Sequence, residues 1–130
     1  MSGRTNCILS LLALNILCTG VMGLRTAEAA DPAAGQAVFH SQCGICHSVQ
    51  TGRNMIGPSL FGVIGRKTGS EASYHYSTAN QNSNLTWSPD VLDKYLESPR
   101  TVIPGTKMTY AGLKDAAKRA DLIAYLETLK

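Results

Sequence analysis

Apolar side chains fall into one long run near the start of the chain and three short periodic groups after it, separated by polar, glycine-rich stretches. The run, Ile8 to Met22, follows Arg4 and precedes Ala27-Glu28-Ala29, a charged start, apolar centre and small-x-small end that read as a secretory signal peptide over residues 1–29. Ser10, Asn15 and Thr19 interrupt it, and it falls short of the ~20 apolar residues a membrane span needs. No stable membrane insertion is expected. Leu17 before Cys18 is not the small residue lipid attachment requires, and Arg4-Thr5 is not a twin arginine. The expectation is export in an unfolded state by the general route into a bacterial periplasm, with cleavage after Ala29 and one domain over residues 30–130.

Within that domain the periodic groups read as helices. Asp31 is a capping residue, Pro32 takes the first helical position, and Ala33 to Gln42 carries Ala34, Ala37 and Val38 with Phe39. Ser88-Pro89-Asp90 starts a second helix, in which Val91, Leu92, Tyr95 and Leu96 recur at helical spacing until Pro99 stops it. Asp115 to Leu129 is a third, with Ala116, Ala120, Ile123 and Leu126 in phase, broadened by Leu122 and Tyr125, and it is predicted to pack on the first. Residues 48–69, with five glycines and Pro58, residues 70–86 and residues 102–113 read as loops. The class is all-α. Loops of this length lack a core of their own unless they wrap a large apolar object.

Composition sharpens that point. The chain of 130 residues is 44% hydrophobic and 16% charged, a globular balance, yet only 6% aromatic. A domain this small buries only about two-thirds of its surface, so something besides side chains is expected in the core. The formal charge of +3 falls to +2 when loss of Arg4, Arg25 and Glu28 leaves ten basic and eight acidic residues. That is far from the clustered basic excess of a nucleic-acid-binding domain. The same cleavage removes Cys7 and Cys18, leaving Cys43 and Cys46 in an oxidising compartment.

Cys43-Gly44-Ile45-Cys46-His47 is the C-x-x-C-H pattern in which two thiols add to the vinyl groups of haem and the next histidine coordinates iron. On a helical turn the two sulfurs reach neighbouring porphyrin substituents while the adjacent side chain faces the metal. A thioredoxin-like C-x-x-C belongs between a strand and a helix, and no alternation of strands is present. Zinc needs four ligands, and only His40 and His75 remain to join the cysteines. A disulfide closing so short a loop would contribute little.

A second axial ligand is expected opposite His47. Met55 lies too close along the chain to cross the ring. Met108, in Pro104-Gly105-Thr106-Lys107-Met108, sits in a restrained loop outside any helical stripe, which leaves it without an obvious core role. His75 is its chief rival and would give a lower potential than a soft thioether.

Cys43 to His47, Gly57-Pro58-Ser59-Leu60, Gly65-Arg66-Lys67-Thr68-Gly69, Tyr95-Leu96 and Ile103 to Met108 occur in the order typical of class I cytochromes c, and over 33–130 the chain resembles the small soluble bacterial relatives of mitochondrial cytochrome c. The resemblance implies the cytochrome c fold, short helices and loops wrapped around one covalent haem c with the N- and C-terminal helices crossing. Cys43 and Cys46 would hold the haem, His47 and Met108 would ligate iron, and the Pro58 carbonyl would orient the His47 ring. Arg66, Tyr76 and Trp87 match positions that bond or neutralise a haem propionate; Asn80, Tyr95 and Thr106 match a polar set near the methionine. Gly35 and Phe39 would meet Leu122 and Tyr125 where the terminal helices cross.

The implied function is a monomeric, soluble periplasmic electron carrier and not an enzyme. Its partners would be membrane redox complexes docking at the haem edge: a quinol–cytochrome c oxidoreductase, a terminal oxidase or a photosynthetic reaction centre. Arg53, Arg100, Lys107 and Lys114 would rim that edge, but Gln42, Ala37, Met55 and Thr101 stand where relatives are commonly basic. Apolar contacts around Met55, Ile56 and Tyr110 are therefore expected to matter more, with a weak salt dependence. The competing function is a haem peroxidase or small-ligand sensor, should the sixth position be open. A third is a carrier domain held at the membrane by an uncleaved segment 8–24.

Overall fold

The computed structural model describes residues 29–130 as five short α-helices joined by long loops, with one isolated antiparallel bridge between Lys67 and Thr86. The signal-peptide reading of residues 1–29 falls almost wholly outside the described residues. Helix α1 spans Pro32–Val38, α2 Thr78–Asn82, α3 Pro89–Glu97, α4 Pro99–Val102 and α5 Ala116–Glu127. The all-α expectation holds among the described residues, and among them no helix is long and apolar enough to cross a membrane.

Capping chemistry sets the helix starts. Asp31 Oδ1 accepts from the Ala33 amide at 2.8 Å, Ser88 Oγ from Val91 at 3.3 Å, and Asp115 Oδ1 from Ala117 and Lys118, each satisfying orphan amides of a first turn. The expected first helix, Ala33 to Gln42, divides: α1 ends at Val38 and Phe39–Cys43 form a wider π turn, closed by the Gly44 amide on the Phe39 carbonyl at 2.8 Å. Pro99 ends α3 as expected. It also opens α4, because a proline at the first helical position loses no hydrogen bond. The expected loop over 70–86 contains α2, capped by Ser77 Oγ on the Asn80 amide at 3.2 Å.

Helices α1 and α5 cross in close contact, as expected. At the crossing a Cβ on Gly35 would lie 1.9 Å from the Asp121 carbonyl oxygen and 2.9 Å from Tyr125 Cβ, so only glycine lets the backbones meet. Phe39 packs on Tyr125 with ring centroids 5.7 Å apart, beside the buried Leu122. The Asp31 amide donates to Asp121 Oδ1 at 2.8 Å, fastening the start of α1 to α5. Arg119 joins α5 to α3: Nε donates to Asp93 Oδ1 at 2.8 Å, and Nη1 to the Leu113 and Lys114 carbonyls. Those bonds satisfy a buried guanidinium that would otherwise be costly.

Candidate haem site

Between α3, α5 and the loops lies a cavity of about 500 Å³. It is within the range of small-molecule and cofactor sites, apolar with a few convergent polar groups. Cys43, Cys46, His47, Pro58, Arg66, Tyr76, Asn80, Trp87, Tyr95, Thr106 and Met108, all singled out from sequence, line it together. The apolar walls come from Leu60, Val63, Leu92, Leu96 and Leu126.

The π turn delivers both cysteines and His47 to this wall. Neither cysteine is in a disulfide, and burial, with Cys46 adding, pushes the Cys43 thiol up to about 11. The backbone then folds over the histidine ring. A Cβ on Gly57 would fall 2.3 Å from His47 Cε1, so glycine is required where the chain passes. The next carbonyl, Pro58 O, lies 2.8 Å from His47 Nδ1, which donates to it and leaves Nε2 with its lone pair for a metal. Burial, opposed by that hydrogen bond and aided by Arg66, holds the imidazole below its usual pKa, in the neutral form a metal ligand needs.

Met108 comes from the loop after α4. Its Sδ accepts from Tyr95 Oη at 3.5 Å, Tyr95 Oη lies 3.3 Å from Thr106 Oγ1, and the Met108 amide donates to that same Oγ1 at 3.3 Å. Trp87 supports Tyr95 with ring centroids 4.8 Å apart. Asn80 is buried and accepts from Ser77 Oγ at 2.8 Å. Burial raises the Tyr95 phenol above its ordinary value against the pull of Thr106 and Asn80, so it stays a donor. Of the rival ligands, His75 and His40 are exposed and Met55 is 41% exposed, and none of the three lines the cavity. The zinc alternative finds no support, since no group of three or more His, Cys, Asp or Glu gathers among the described residues.

The bridge between Lys67 and Thr86 brings Arg66 and Trp87 side by side, the Trp87 amide donating to the Arg66 carbonyl at 2.9 Å. Arg66 is less free than expected, being paired to Glu71 at 2.5 Å. Sequence reasoning missed Glu71 and Tyr74, whose hydroxyl donates to the Ile56 carbonyl at 2.7 Å. Gly57 was named only as part of the segment Gly57 to Leu60, without its role over the His47 ring. Glu71 and Tyr74 act across irregular backbone, where no periodicity flags a partner.

Two free thiols, a neutral histidine with Nε2 unclaimed and a thioether held by a phenol face one apolar cavity, a set of groups that could hold a covalently attached haem between a histidine and a methionine. The residues present fit that group. Comparison with known proteins gives the same class. Residues 32–130 match the family described as Cytochrome c. Cytochrome c2 of Rhodopila globiformis is 54% identical over 105 residues, covering 81% of this chain and 99% of that one. Cytochrome c of Trypanosoma brucei brucei is 55% identical over 87 residues, covering 67% and 94%. Among solved structures, cytochrome cH from Methylobacterium extorquens superposes with a TM-score of 0.71 at 41% identity, covering 76% of this chain and 99% of that one. The chain belongs to the cytochrome c family, in its class I branch. It carries one covalent haem c and is an electron carrier, not an enzyme.

Proposed function

We propose that the protein is a periplasmic one-electron carrier in which Cys43 and Cys46 would hold the haem and His47 and Met108 would ligate its iron. When bound, the haem supplies the ferric–ferrous couple. The chain supplies everything that keeps that couple simple. Pro58 O fixes the His47 tautomer and ring, and Gly57 lets it do so at close range. Tyr95 and Thr106 hold the Met108 loop, and Leu92, Leu96 and Leu126 keep water from the interior. With His47 held by the Pro58 carbonyl and Met108 by the Tyr95 hydroxyl, the site would change little on electron transfer and leave no position for substrate.

The observation that carries this reading is Met108 Sδ in the same cavity as His47, held by Tyr95. Ile45 and Ile56 are 77% and 74% exposed beside Cys46 and Gly57, an apolar surface suited to docking against a redox complex. Quinol–cytochrome c oxidoreductases, terminal oxidases and photosynthetic reaction centres are the partner classes. The cationic rim supports docking less than its residue count suggests. Lys107 Nζ is drawn to the His75 carbonyl and lies 4.7 Å above the Tyr74 ring, while Lys114 Nζ donates to the Glu97 carbonyl at 2.6 Å. Residues 1–29 are proposed as the signal peptide that takes the chain to this compartment, residues 30–130 being the mature domain.

Visible spectroscopy of the purified protein tests the ligand assignment. Expected are the weak charge-transfer band of methionine-bound ferric haem and a reduced spectrum unchanged by carbon monoxide. Met108→Ala is expected to abolish the band and bind carbon monoxide. A wild type that binds carbon monoxide readily would transfer the reading to a peroxidase or ligand sensor.

A further inference from the structure

Arg66 and Tyr76, two of the polar residues lining the cavity, are both held by a residue that lines no part of it. The Glu71 amide donates to Tyr76 Oη at 3.3 Å, and the Glu71 carboxylate accepts from Arg66 Nη1 at 2.5 Å. Both side chains of this ion pair are 15% exposed, so it is not a solvated surface contact. Arg66 is clamped further by its Nη1 on the Phe61 carbonyl at 3.2 Å and its Nη2 on the Ser59 carbonyl at 2.7 Å. A guanidinium has five N–H donors; Nε–H and one hydrogen on Nη2 are left uncommitted by these bonds. Tyr76 is left in the same condition. Its oxygen accepts from Glu71, its own hydrogen is unspent, and burial, the largest influence on it, raises the phenol above its ordinary value and keeps that hydrogen in place.

We propose that Glu71 is a positioning residue for the reduction potential, cancelling the charge of Arg66 beside the cavity while holding Arg66 and Tyr76 ready to donate. The inference rests on the reading of this cavity as the haem site. A lone guanidinium there would favour the reduced state, which carries one positive charge fewer. Paired with Glu71, it presents hydrogen-bond donors with little net charge, so the oxidised state is favoured relative to a chain without this carboxylate. The fold sets a half-buried acid against a cation that two backbone carbonyls already hold in place.

Potentiometric titration of the intact haem protein against a redox dye tests this, comparing wild type with Glu71→Gln, Glu71→Asp, Arg66→Gln and the double variant Glu71→Gln/Arg66→Gln. Expected is a rise in potential for Glu71→Gln equivalent to a severalfold to tenfold change in the exchange equilibrium, tenfold being about 59 mV for one electron. Glu71→Asp stays within about twofold of wild type on that scale. In the Arg66→Gln background the same Glu71 substitution loses most of its effect. An unchanged potential in Glu71→Gln, or equal shifts in both backgrounds, overturns the proposal. Should Arg66→Gln not fold, the guanidinium proton resonances of Arg66 decide: they move in Glu71→Gln if the carboxylate holds the group, and their staying put overturns it. The charge-transfer band of the same wild-type samples reports Met108 separately. Its absence counts against the ligand reading, and the potentials still decide the role of Glu71.

Discussion

The crossing of α1 with α5 and the loop-built half that faces the cavity are stabilised by different means. At the crossing the chain meets itself: Gly35 lies under the Asp121 carbonyl, Phe39 against Tyr125, and Leu122 is 1% exposed. In the other half, Leu60, Val63, Leu92, Trp87 and Leu96 face a space that protein atoms do not fill. One region is packed by sequence alone. The other, on the function proposed above, is half of a packing arrangement whose remainder is the cofactor.

The largest expected effect follows from that difference. At about 24 cal/mol per Å³, leaving the cavity of about 500 Å³ unfilled costs up to about 12 kcal/mol, an upper figure because its mouth is open. That is comparable to the entire ~5–15 kcal/mol stability of a domain. Cys43→Ser/Cys46→Ser, which cannot retain haem covalently, is therefore expected to lose cooperative thermal unfolding when its haem is extracted, as followed by far-ultraviolet circular dichroism. A cooperative transition like that of wild type would show the loop half to be self-sufficient.

A smaller effect should separate the halves from the other side. Gly35→Ala forces the helix crossing apart at a cost of about 3 kcal/mol, a lowering of Tm by roughly 12–24 °C. Below that midpoint the visible spectrum is expected to match wild type, because the substitution is remote from His47 and Met108. Loss of the methionine band at ambient temperature would mean that the two regions do not behave separately.

Smaller still is Tyr95→Phe, which removes a donor to Met108 Sδ and a partner of Thr106. About 1 kcal/mol is at stake, read as cyanide binding to the ferric protein a few-fold faster, with the band retained. The least effect is expected from salt. With Lys107 and Lys114 drawn to carbonyls and Ile45 and Ile56 exposed, the rate of reduction by a partner complex should change less than about threefold between low and physiological ionic strength. A steep fall would return the docking role to the cationic rim.

What could be read from sequence divides along similar lines. Asp31-Pro32, Ser88-Pro89 and Asp115 announce their helices because a capping side chain and a proline act within one turn. The residues that line the cavity were legible through the fixed spacing of Cys43, Cys46 and His47 and the order of the segments after them. The π turn was not, because its extra hydrogen-bonded residue leaves no mark on the apolar pattern of Val38 and Phe39. Helix α2 was hidden by its composition, Thr-Ala-Asn-Gln-Asn, which has no apolar stripe to show. Arg66 was placed correctly at the cavity, but its pairing with Glu71 depends on the path of an irregular loop, which no residue pattern encodes.

The wide turn at Phe39–Cys43 leads directly from the helix crossing to the cysteines. It acts as a phase coupling between two surfaces that must each face the right way. Rewinding the same five residues as an ordinary helix would leave one residue over and rotate everything beyond by about 100°. Phe39 would keep its seat against Tyr125 while the thiols and His47 turned away from the cavity. A change of pitch in one turn, with no change in hydrophobicity or charge, would leave a chain that assembles its crossing and cannot keep its cofactor.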